Sequence, residues 1–151
     1  MECLIFLTPP SDFKPRVEVA SCYCTYQDNI LLLRRHPAKS QGHTWGVPAG
    51  KLEQGEDSVS AIIREAFEEI GVVLRKEGLE EIITLYIRQQ IDFVYHMFHY
   101  SFSQQPSIVL ELREHDEFKW VTVEEALKMP LMAGEKDTLA FYQKFLKDKP
   151  S

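Results

Sequence analysis

GKLEQGEDSVSAIIREAFEEIGV, residues 50–72, is the stretch on which the reading of this chain turns. Its second half has helical periodicity, with Val59, Ile62, Ile63, Ala66, Phe67 and Ile70 recurring at the spacing of one apolar helix face. Glu65, Glu68 and Glu69 fall within an arc of about 100° on another side, since each helical residue turns about 100°. Asp57 is placed to cap the helix start, and Gly71 to supply a left-handed stop. A glutamate-rich face is ordinarily a solvated one. Here, however, Glu65 and Glu69 stand four apart, a like-charge pair that destabilises a helix. Glu68 and Glu69 also crowd the last turn, where the helix dipole is already negative. A divalent cation relieves both costs, and carboxylate oxygens are the donors that Mg²⁺ and Mn²⁺ prefer.

The spacing resembles a known family motif. Gly50, Glu56, Arg64-Glu65-Ala66, Glu68-Glu69 and Gly71-Val72 match every fixed position of the Nudix box, G-x5-E-x7-R-E-U-x-E-E-x-G-U, nine constrained positions over 23 residues. Just ahead of it, Trp45 and Pro48 match the W-x-x-P-G-G common in that family, while Ala49 departs from the first glycine of the pair. The resemblance implies an α/β fold, the Nudix α/β/α sandwich, with a mixed sheet and a catalytic loop-helix. It implies Glu65, Glu68 and Glu69 as metal ligands and catalytic residues, with the Ala49 carbonyl as a further ligand. Gly50 and Gly71 become backbone requirements. Glu56 sits near the metals or supports the loop, and Arg64 pairs with a box carboxylate such as Glu56. Arg35, fifteen residues before Gly50, matches an arginine that contacts substrate in MutT-type members, so Arg35, Ala49 and Gly50 are candidate substrate contacts. Members also recruit an acid from a later loop. Here Glu114 or Glu117 is favoured, and Glu114 is taken as the catalytic candidate.

The activity implied is hydrolysis of a pyrophosphate bond by water activated on Mg²⁺ or Mn²⁺. The first substrate reading is a nucleoside triphosphate, of the MutT type. The alternatives are dinucleoside polyphosphates and nucleotide sugars such as ADP-ribose. Two other classes stand beside these: an isopentenyl diphosphate isomerase-like enzyme, which needs a catalytic Cys, and a non-catalytic nucleotide sensor, which usually loses box glutamates.

The rest of the chain frames this stretch. At 151 residues, 44% hydrophobic and 26% charged, it reads as one domain over 1–151, with 1–15 an irregular arm holding a short strand near Leu4 to Leu7. Nine acids and four bases between Lys51 and Glu81 account for most of the net charge of −6. No basic stripe is present, which argues against duplex nucleic acid as a partner and leaves a nucleoside polyphosphate. Cys3, Cys22 and Cys24 suit free thiols in a reducing cytoplasm, and no run is long and apolar enough for a membrane span. The family resemblance also admits a homodimer.

Strands are expected at Arg16 to Tyr26 and Ile30 to Arg35, joined as a hairpin through Gln27-Asp28-Asn29. Residues 36–44 form a polar loop. Further strands are expected at Glu81 to Ile91, with Asp92 breaking the run, at Phe93 to Phe102, and at His115 to Val121. Val72 to Leu74 extends briefly. Thr122 and Glu125 form a capping box opening a short helix, and Glu135 to about Lys147 is the closing helix. His96 and His99 fall on opposite strand faces. Tyr95, Phe98, Tyr100 and Trp120 are core aromatics or stacking surfaces for a base.

Overall fold

A computed structural model describes residues 2–150. The strands are β1 (Leu4–Phe6), β2 (Pro15–Tyr26), β3 (Asn29–Arg35), β4 (Trp45–Gly46), β5 (Ala49–Lys51), β6 (Glu80–Arg88), β7 (Asp92–Phe102) and β8 (His115–Val121). The helices are α1 (Ser58–Ile70), α2 (Val123–Ala126) and α3 (Glu135–Asp148). All strands join one mixed sheet in the order β1-β6-β7-β2-β3-β4, with β5 added to β2 and β8 to β3.

The sheet is built on β2. Its whole length runs parallel to β7, from Pro15 opposite Asp92 to Tyr26 opposite Phe102. The expected hairpin is present but short, because β2 and β3 pair only at Thr25↔Ile30 and Tyr26↔Asn29. Beyond that the strands part, and β5 enters the gap with Val19↔Lys51, Ala20↔Gly50 and Ser21↔Ala49. This divergence seats the Gly50 end of the motif at the middle of the sheet.

Alternation along the central strands fills two cores. Cys22, Cys24, Leu31 and Leu33 face Ala61, Ile62, Ala66 and Ile70 of α1. Tyr23, Ile30 and Leu32 face the other way, toward Leu139 and Tyr142 of α3. Strands apolar on both faces belong in a sheet interior, and the outcome is the expected α/β/α sandwich. The cysteines are free, with Cys22 and Cys24 buried side by side on the α1 face.

Several boundaries differ from expectation. β6 ends at Arg88, and Asp92 opens β7 instead of breaking a strand. Arg88 Nε donates to Asp92 Oδ1 at 2.7 Å and the Lys14 amide to Oδ2 at 2.9 Å, so this acid knits the turn to the arm. The arm is correspondingly less irregular, since β1 pairs with β6. Val72 to Leu74 makes no strand pairing, although Val72 and Leu74 are buried. Phe67 leaves the apolar face of α1 and stands 59% exposed. It lies about 100° of helix rotation past Ala66, at the edge of the stripe. Of the four candidate stacking aromatics, Phe98 is core, Tyr100 packs on Phe102 and Trp120 on Tyr26. Tyr95 lines a cavity. Among the described residues no helix is long and apolar enough to cross a membrane.

His96 and His99 do face opposite ways. His99 is buried beside Tyr142 and Phe145, with Nε2 2.9 Å from Thr25 Oγ1 and Nδ1 2.9 Å from Glu80 Oε1. Burial lowers its pKa, only partly offset by Glu80. The unfolded chain therefore takes up this proton first on acidification, below its ordinary value near 6.5. Stability contributed here is complete above that pH and is lost as pH falls. Denaturant unfolding of the native protein and His99→Gln across about pH 7.5 to about pH 5, a window that brackets the free histidine value, is expected to give a steeper acid decline for the native protein.

Candidate active site

α1 begins where Asp57 Oδ1 accepts the Ser60 amide at 2.7 Å and ends at Gly71, whose φ of 70° no β-branched residue would hold comfortably. Between them Arg64 is a hub. Its Nε and Nη2 take both oxygens of Glu56 at 2.9 Å, Nη1 reaches Glu65 at 2.8 Å and Glu68 at 3.3 Å, and Nη2 also donates to the Lys51 carbonyl at 3.0 Å. Glu56 in turn accepts the Glu53 amide at 2.9 Å. The forked, rigid guanidinium is suited to this, and lysine would not be. Arg64 and the Glu53 amide hold the Glu56 carboxyl down at about 2. The pairing expected for Arg64 and Glu56 is thus found, and it fastens residues 51–56 to the helix.

Two acids of α1 press on bare backbone. A Cβ at Gly50 would lie 2.0 Å from Glu65 Cδ, so the Glu65 carboxylate occupies the space that a glycine leaves. Glu69 Oε1 accepts the Ala49 amide at 3.1 Å. Ala49 is not among the described non-glycine residues with positive φ, so alanine serves where the motif usually has glycine. β5 is held in turn by β2, with the Cys22 amide donating to the Pro48 carbonyl at 3.0 Å. Burial pushes the Glu65 carboxyl up, and Arg64 opposes it. Burial pushes Glu69 well above the usual carboxylate range, reinforced by Glu65, against the pull of the Ala49 amide. Glu68 is 55% exposed at its side chain.

The later acid arrives through the exposed carbonyls at the end of α1. The Val109 amide donates to the Ile70 carbonyl at 2.9 Å and the Glu111 amide to the Glu69 carbonyl at 3.1 Å. That brings Glu114 across from the helix, into a cleft of about 950 Å³. Arg35, Ala49, Gly50, Glu65, Glu68, Glu69 and Glu114 all line it, while Glu56, Arg64 and Gly71 stand behind as supports. Glu117 is not in the cleft. It pairs with Arg34 at 3.4 Å and Lys119 at 3.9 Å. A register shift between Arg34 and Arg35 in the β3–β8 pairing separates the two acids. His115, behind Glu114, is pushed down to about 4 by burial and stays neutral at pH 7.

The sequence reading missed four charged residues of the cleft, Lys39, Lys51, Glu111 and Arg113. Lys51 was visible beside Gly50. Lys39 comes from an aperiodic loop, where no pattern points to it. A second cavity of about 200 Å³ shares Ala49 with the cleft and is lined by Val47, Phe93, Tyr95, Met132 and Glu135. Glu135 is satisfied there by the Tyr23 hydroxyl at 2.7 Å and the Thr138 hydroxyl at 3.1 Å.

Whether the acids suit a divalent cation can be judged from their chemistry. Their free donors are hard carboxylate oxygens beside a backbone carbonyl strand. Among the described residues no three His, Cys, Asp or Glu side chains form a ready-made cage. Hard oxygen donors of this kind are those taken by a small, strongly hydrated cation, which also keeps several waters and uses substrate oxygens.

Residues 15–143 match the family model described as NUDIX domain. The chain is 26% identical over 119 residues to the CTP pyrophosphohydrolase of Escherichia coli, covering 79% of this chain and 85% of that protein. It is 31% identical over 117 residues to the ADP-ribose pyrophosphatase of Bacillus subtilis, covering 74% and 60% respectively. In fold it is similar to the MutT protein of Methanosarcina mazei, with a TM-score of 0.74 at 22% identity over 91% of this chain and 98% of that one.

Because Arg64 keeps Glu56 ionised far into acid, stability from this pair is present above about pH 4.5 and lost as pH falls toward 2. Arg64→Gln is therefore expected to be less stable at neutral pH and to have a flatter stability profile through that acid window, as read by denaturant unfolding at stepped pH.

Proposed function

The chain belongs to the NUDIX domain family of hydrolases, and on that premise we propose that it hydrolyses the pyrophosphate bond of a nucleoside triphosphate in a divalent-cation-dependent reaction. The observation that carries this reading is Glu69, ionisable, partly buried and beside a second acid, with Arg64 committed elsewhere. Five acids and four bases line the cleft, so a polyphosphate entering it meets a net negative wall unless cations accompany it. Glu65, Glu68 and Glu69, with the Ala49 carbonyl, are the residues we assign to hold Mg²⁺ or Mn²⁺. Once bound, such an ion neutralises phosphoryl oxygens and lowers the pKa of an attacking water.

The protein's own contribution is positional. Arg64 and Glu56 brace the loop, so that Glu65 and Glu69 need no rearrangement of backbone to meet a ligand. Glu114, across the cleft, orients the water and accepts its proton. Arg35 takes a phosphate oxygen. The apolar cavity joined at Ala49 is of a size for a heterocyclic base, with Tyr95 and Phe93 as its aromatic walls. We read the whole chain, arm included, as one hydrolase unit. Its three free cysteines support a reducing, cytoplasmic setting.

The reading is tested by chromatographic measurement of nucleoside monophosphate formed from a panel containing nucleoside triphosphates, dinucleoside tetraphosphates and ADP-ribose, with Mg²⁺ and then with chelator. Triphosphates are expected to be turned over fastest, and chelator to abolish all turnover. Preference for ADP-ribose would replace the substrate reading. Glu69→Gln is expected to fold normally and to lose about 10²-fold or more in kcat, the scale of a lost charge-stabilising group. Without divalent ions its Tm should equal or exceed that of the native protein, because a carboxylate that burial disfavours has been neutralised. Mg²⁺ should raise the Tm of the native protein and leave that of Glu69→Gln nearly unchanged.

A further inference from the structure

Residues 36–44 form a fixed strap, tied at both ends and at its tip. The Arg35 amide donates to the Thr44 carbonyl at 2.8 Å and the His43 amide to the Arg35 carbonyl at 3.0 Å. Gln41 and His43 hold left-handed φ of 57° and 69°. Gln41 Oε1 accepts the Ala133 amide at 2.7 Å. The strap therefore touches both cavities, Gln41 at the apolar one and Lys39 at the acidic cleft.

Lys39 Nζ lies 3.2 Å from Glu114 Oε1, and Arg35 Nη1 lies 4.0 Å from Glu114 Oε2. Two cations thus share one carboxylate at the rim opposite α1. The side chains of Lys39 and Glu114 are 41% and 40% exposed, so the pair is screened by water and weak, and partners can change without burying a charge. Other cleft cations are less available. Arg113 rests on Glu111, and Arg64, behind the cleft wall, is fully occupied. Lys51 has no ion-pair partner among the described residues, but it adjoins Gly50 on the metal side of the cleft.

We propose that Lys39 is a recognition residue for a free terminal phosphate, resting on Glu114 until a polyphosphate longer than the scissile pyrophosphate takes it over. This rests on the hydrolase reading for where the phosphate chain lies. The exchange does two things at once. The ammonium gains a dianionic phosphate group in place of a single carboxylate, a stronger charge-assisted partner. Glu114 loses one of its two counter-ions and turns toward the water it is to orient. A diphosphate capped by a sugar has no free terminal phosphate to offer, so the strap favours nucleoside triphosphates over nucleotide sugars.

The test uses the full chain, Mg²⁺, and two inorganic probes, tripolyphosphate and pyrophosphate, with affinities from calorimetry. In Lys39→Met the preference for tripolyphosphate over pyrophosphate should fall about tenfold, the scale of one charge-assisted hydrogen bond. Lys39→Arg should restore it. Glu114→Gln should raise the preference by releasing Lys39, and that gain should vanish in the double variant Lys39→Met/Glu114→Gln. An unchanged preference in Lys39→Met, or a Glu114→Gln gain that survives loss of Lys39, overturns the proposal. If no nucleotide is turned over while the Lys39-dependent preference persists, the hydrolase reading falls and the exchange stands. If nucleotides are turned over and the preference ignores Lys39, the reverse holds.

Discussion

The structure depends on a confrontation between charge and backbone. Glu65 and Glu69 lie one turn apart on α1, each set against β5 at a point where side-chain bulk is minimal. Two carboxylates so placed repel each other and lose hydration. The chain accommodates them with one guanidinium and one amide. Arg64 binds Glu65 and anchors the loop below it, and the Ala49 amide binds Glu69. This leaves Glu69 undercompensated, its carboxyl raised by burial. A site with an unsatisfied electrostatic demand is one that a ligand of opposite charge completes.

The rest of the fold serves to hold that confrontation still. β2 carries both the parallel partner β7 and the short β5, so the bare backbone facing Glu65 belongs to the sheet's centre and not to a flexible loop. The carbonyls left open at the end of α1 are taken by Val109 and Glu111, which satisfies the helix terminus and draws the opposite wall of the cleft into place. Precision at the acids is thus obtained from ordinary secondary-structure obligations together with the Arg64 brace.

Much of this was legible in the sequence, because it was local. The periodicity of 58–70, the Asp57 and Gly71 caps, the pairing of Arg64 with Glu56 and the Thr122–Glu125 capping box are all interactions within about one or two helical turns. What escaped was long-range. Nothing in the composition of β2 announces a parallel partner seventy-six residues away, as in Ala20 with His96. Glu114 and Glu117 are equivalent in a string, and a shift in strand register separates them. Phe67 is apolar and fits a helical stripe, yet its angle carries it past the sheet. Lys39 sits in a strap whose shape is set by left-handed residues and by a contact to Ala133, neither of which a periodic pattern records.

Divalent-cation binding at the junction of α1 and β5 is tested most directly by paramagnetic broadening of backbone amide resonances by substoichiometric Mn²⁺. Broadening should centre on Ala49, Gly50 and residues 65–69, and should be reversed by Mg²⁺. Broadening spread evenly over exposed acids, or centred on residues 111–117 with α1 untouched, would contradict it.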